Sequence, residues 1–144
     1  MRRMFILSLL LCSSTYAQTF ATPTQVAAAI SVHNTNLNLL IYEEMWDNKS
    51  GCKEVKGKID KANPYQNGID QYLKENILKE ITGLSYLYQS NMSNLSALKN
   101  LKKAYEFMCL DKSSQNTLIL VDIYRELATK DVDLAGIYLN LSDF

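Results

Sequence analysis

From Asn94 onward, apolar residues return at steps of three and four. Leu95, Leu98, Leu101, Tyr105 and Met108 share one helical face, and Lys99, Asn100, Lys102, Lys103 and Glu106 fall on the other. Ser93 or Asn94 can cap the first turn. Asp111, Ser113 and Ser114 supply a turn. The three-four pattern then resumes through Leu118, Val121, Tyr124, Leu127 and Ala128. Two helical runs joined by a short polar connection predict an antiparallel hairpin, with Cys109 at its corner.

Upstream, Thr22-Pro23-Thr24-Gln25 reads as a helix start: Thr22 caps, Pro23 takes the first position and Gln25 reaches back. Val26, Ile30, Leu37, Leu40, Ile41 and Met45 form the stripe that follows. Ser31, His33, Asn34, Thr35, Asn36 and Asn38 are indifferent helix formers, so a break is expected there. Cys52 to Pro64 reads as irregular, with Gly57 and the Asn63-Pro64 and Asn67-Gly68 turn signals. A second long helix is expected to carry Ile69, Leu73, Ile77, Ile81, Leu84 and Tyr88 inward. Gly83 would lie inside it, where a glycine lets another backbone come close. The run from Asp131 or Asp133 to Leu141 predicts a short closing helix. No stretch alternates with period two for long enough to argue a sheet. The expectation is an all-α bundle of four to five helices.

Residues 1 to 17 change the picture. Arg2 and Arg3 precede an apolar run, Phe5 to Leu11, too short to span a bilayer. Thr15-Tyr16-Ala17 resembles a signal peptidase site, so 1–17 is read as a signal peptide and 18–144 as a single helical domain, with a periplasmic destination. Lipidation at Cys12 is the rival reading. The full chain carries 15 basic and 15 acidic residues. Without Arg2 and Arg3 the balance is 13 against 15, a net of −2. A slightly acidic surface argues against nucleic-acid binding, which needs a basic field.

Two cysteines remain beyond residue 17, Cys52 and Cys109. In an exported protein a disulfide between them is the default, with free thiols or pairing between chains as alternatives. Their distance in sequence argues against a redox-catalytic pair. His33 is the only histidine. It cannot by itself supply a zinc site, and the expectation is a polar residue on a helix surface. No nucleophile elbow, phosphate loop or dinucleotide fingerprint is present. The carboxylates are scattered, as on solvated helix faces. These readings point away from an enzyme and from any metal or cofactor. Tryptophan and tyrosine favour interfaces, so a partner surface is expected around Trp46, Tyr65, Lys53, Lys56 and Lys58. Self-association as a homodimer is left open.

The steps Phe107-Met108-Cys109-Leu110, Thr117-Leu118-Ile119-Leu120-Val121 and Tyr124-Arg125-Glu126-Leu127 resemble the C-terminal half of a family of periplasmic immunity proteins. These are the resistance-associated proteins that protect bacteria from peptidoglycan-amidase toxins delivered by type VI secretion. Ile81-Thr82-Gly83-Leu84 is similar to a glycine step upstream of the cysteine in that family. The chain has Asp111 where the family commonly has proline, and Phe144 where it often has a cysteine. The resemblance implies an exported helical domain that binds a toxin without catalysis. The competing expectation is an envelope scaffold component of a secretion or conjugation system.

Overall fold

Thr22 opens the first helix as its residues dictate. In the computed structural model, which describes residues 19–42, 46, 49–110 and 116–144, its hydroxyl accepts from the Gln25 backbone N–H at 3.2 Å. The Gln25 side chain reaches back to the backbone N–H of Ala21 at 2.9 Å. This helix, α1 (Pro23–Ile41), runs unbroken through the segment of weak helix formers. Tertiary hydrogen bonds explain why. His33 and Asn34 each bond to another helix, which outweighs a few tenths of a kcal/mol of propensity per residue.

Residues 52–64 are helical, contrary to the irregular segment expected from the sequence. They form the first half of α2 (Cys52–Asn76). Val55 and Ile59, then Ile69 and Leu73, are buried along one stripe. Gln66 and Gly68 interrupt its apolar reading, and Pro64 stands inside the helix. Proline there removes one backbone hydrogen bond, yet burial on both sides of it carries the helix through.

The long helix expected from Ile69 to Tyr88 is instead broken. α2 ends at Asn76, and α3 (Leu84–Tyr105) begins after Gly83, which has φ +84°. That left-handed conformation is open to glycine and lies outside helical geometry, so α3 starts only at the next residue. Ser93 and Asn94 are therefore not caps; they are buried in the middle of α3. Beyond α3, Glu106–Leu110 forms one wider π-helical stretch. The expected turn at Asp111, Ser113 and Ser114 lies outside the described residues, as does the 1–17 signal segment. α4 (Asn116–Ser142) is one continuous helix of 27 residues, not a helix followed by a short closing one. The described residues thus form four α-helices and no strand. None of those helices is long and apolar enough to cross a membrane.

The apolar core lies in two parts. One gathers Leu37, Trp46, Val55, Leu101, Met108 and Val121 around the end that holds Cys52 and Cys109. The other gathers Val26, Ile30, Ile69, Leu73, Leu84 and Leu87 at the opposite end. The sulfurs of Cys52 and Cys109 are 2.07 Å apart, a disulfide joining the start of α2 to the π-helical stretch that follows α3. In the chain-entropy treatment a loop of this length contributes roughly 4 kcal/mol. Arg125 of α4 closes the other corner: its guanidinium donates twice to the Ile41 carbonyl, at 3.0 and 2.6 Å. A cation suits that helix end, where carbonyls have no partner in the helix.

Candidate functional site

A layer of polar side chains separates the two parts of the core. α1, α2 and α3 contribute side chains, and α4 contributes the backbone carbonyls of Val132 and Ala135. His33 Nε2 lies 2.8 Å from Gln66 Oε1. The Gln66 amide nitrogen donates to Asp70 at 2.9 Å and to Asn91 at 2.6 Å. Asn91 in turn donates to the same Asp70 oxygen at 2.6 Å. Both Gln66 N–H donors are thus used, so its oxygen accepts and His33 Nε2 carries the proton. Asn34 donates to Asn94 Oδ1 and to the Val132 carbonyl, both at 2.9 Å. Ser90 donates to the Ala135 carbonyl at 2.6 Å. Among the described residues, one buried side-chain nitrogen has no partner, Asn94 Nδ2.

His33 is 1 % exposed, not a surface residue as its polarity suggested. Burial holds its pKa below the usual histidine range, against the opposing pull of the Gln66 hydrogen bond and the Asp70 charge. Sequence reasoning missed it because polar residues at core positions look like breaks in a stripe. The available signal was spacing: His33 falls between Ile30 and Leu37 on the buried face, and Gln66 between Ala62 and Ile69.

The layer ends at the surface in a half-open cleft of about 290 Å³ between α1 and α2. Leu37, Leu40 and Ala62 line it with His33, and Leu39, Asn36, Lys58, Lys61 and Tyr65 complete it. The Tyr65 ring stacks over His33, with centroids 6.1 Å apart. Of the expected partner-facing residues, Tyr65 and Lys58 meet in this cleft. Lys53 and Lys56 are exposed elsewhere on α2, and Lys56 pairs with Asp60 at 2.8 Å. Trp46 belongs elsewhere. It is 3 % exposed, donates its indole N–H to the Leu40 carbonyl at 2.6 Å and packs beneath Arg125. A large indole with a reachable carbonyl is more stable inside than at a rim, so Trp46 holds the core and offers no surface.

Of the residues that carried the family resemblance, Phe107, Tyr124 and Arg125 are structural. Phe107 stacks on Tyr124 with centroids 5.6 Å apart, beside the disulfide, and Arg125 caps α1. No group of three or more His, Cys, Asp or Glu side chains that could hold a metal occurs among the described residues. Comparison of the chain with family models, curated proteins and solved structures found no match.

Proposed function

We propose that the chain is an exported, non-enzymatic protein-binding domain, in its sharpest form an immunity protein that neutralises a periplasmic cell-wall-degrading toxin. The observation that carries this reading is the α1–α2 cleft. It has an apolar floor, an aromatic wall at Tyr65 and two lysines beside it. Such a concavity suits an apolar anchor residue flanked by a carboxylate. A disulfide-stapled bundle keeps the cleft in shape before binding, which lowers the ordering cost. Support for a non-catalytic role comes from His33, whose Nε2–H is already engaged by Gln66 in the interior. The resemblance of the Phe107–Leu127 region to immunity proteins supports the toxin as partner.

The test is survival. Cells with and without the gene are challenged by a neighbour that delivers periplasmic toxins, and the gene is expected to protect. Lys61→Glu combined with Tyr65→Ala should abolish protection while the folded protein persists. Equal survival with and without the gene would remove the immunity reading. The second reading, an envelope scaffold of a secretion or conjugation system, is favoured by the apolar outer face of α4. A run of secretion genes beside this one, in place of a toxin gene, would support it.

A further inference from the structure

α4 has two apolar faces, and the bundle uses one. Val121, Ala128, Val132 and Ala135 are buried against the other helices. On the far side, Ile119, Ile123, Leu127, Leu134, Ile137 and Leu141 are 42–59 % exposed. Singly exposed apolar residues are ordinary, but six on one helix face, broken only at Lys130, make a stripe.

We propose that this stripe is the seam of a homodimer, in which a second copy of the chain packs its own α4 antiparallel against it. The spacing selects the occupant. From Ile123 through Leu127, Lys130, Leu134 and Ile137 to Leu141, the positions step by four, three, four, three and four residues. That is the repeat of a two-helix coiled-coil seam. It also reads the same in reverse, and self-complementarity is what a two-fold interface between identical chains requires. With the axis crossing α4 at the level of Val132, Ile123 meets Leu141 of the second copy. Leu127 then meets Ile137 and Lys130 meets Leu134, so the seam is occupied along its whole length.

Lys130 sets the direction. A parallel pair would place the two Lys130 ammonium groups in the same layer. The antiparallel register separates them and brings each beside Asp133 of the other copy, an opposite charge at the seam edge. A single lysine in an apolar seam is a device that fixes orientation at some cost in affinity. The stripe presents on the order of 500 Å² of apolar surface per copy, against about 800 Å² per partner in a standard interface. The flanking polar residues of α4 supply the remainder. None of the seam residues lines the α1–α2 cleft, so a dimer keeps two clefts available.

Sedimentation equilibrium of the purified, oxidised chain tests the proposal. The wild type should be dimeric at micromolar concentration. Leu134→Glu, at an exposed position of the monomer, should be monomeric with unchanged helical circular dichroism. Lys130→Glu should weaken the dimer about tenfold, and adding Asp133→Lys should restore it. In a Leu127→Cys, Ile137→Cys variant, oxidation should link position 127 of one copy to 137 of the other. A wild type that stays monomeric, a Leu134→Glu dimer, no restoration by the double reversal, or 127-to-127 links would overturn it. Leu134-dependent binding of the monomer to phosphatidylglycerol vesicles would assign the stripe to a lipid surface and also overturn it.

Discussion

Gly83 lies directly against the backbone carbonyl of Ser142, too close for any Cβ to fit between them. The start of α3 and the end of α4 touch through bare backbone at this point. The same glycine has φ +84°, so a side chain is opposed twice, by its own backbone and by its neighbour. Gly83→Ala is expected to destabilise the fold by about 3 kcal/mol, read as a lower urea midpoint with an unchanged slope. A loss smaller than about 1 kcal/mol would mean the helix ends separate easily and the contact is not a constraint.

Cys52 and Cys109 enclose a loop with a separation of 57 residues. Replacing either by serine is expected to cost about 4 kcal/mol, and replacing both should cost no more than replacing one. Urea unfolding of the two single variants and the double variant checks this. Additive losses would show that each thiol contributes through its own packing and not through the crosslink.

His33 makes stability depend on pH in a defined direction. Its folded pKa lies below the ordinary 6.5, chiefly through burial. Below pH 6.5 the unfolded chain takes up a proton that the folded chain resists. Stability should therefore be level above that pH with respect to this group. It should fall on acidification by at most about 1.4 kcal/mol per pH unit. The difference in urea midpoints above and below pH 6.5 should be larger for the wild type than for His33→Gln. An identical pH dependence in both proteins would place the titrating group elsewhere.

Trp46 is the chain's one tryptophan, and it is buried. Its fluorescence should be blue-shifted and shielded from acrylamide in the native state, and both properties should vanish on unfolding. Trp46→Ala is expected to cost about 3–5 kcal/mol through the cavity it leaves. If the variant keeps wild-type stability while losing a partner, Trp46 faces that partner after all.

Local pattern was enough for the helical class, the Thr22 start and the pairing of the two cysteines beyond residue 17. Each depends on near neighbours or on there being a single candidate partner. Thr22 and Gln25 lie within one turn, so their hydrogen bonds follow from spacing alone. Gly83 was half legible: the close approach of another backbone was expected, but its place between helices was not. A glycine inside a helix and one standing just before it look alike until φ is known.

What the chain's order of residues determined by itself is which stretches coil and which faces carry apolar side chains. Tertiary structure decided which apolar faces meet one another and which polar groups lie inside. His33 reads as a surface residue because polarity is local, whereas its hydrogen bond to Gln66 joins positions 33 residues apart. Leu127 falls on the three-four pattern read from the sequence, yet it is exposed, because α4 has a second apolar stripe and its own bundle covers only one. The physical reason is common to both cases. Burial depends on what other segments bring to a face, and a desolvated polar group is stable only where a distant partner satisfies it.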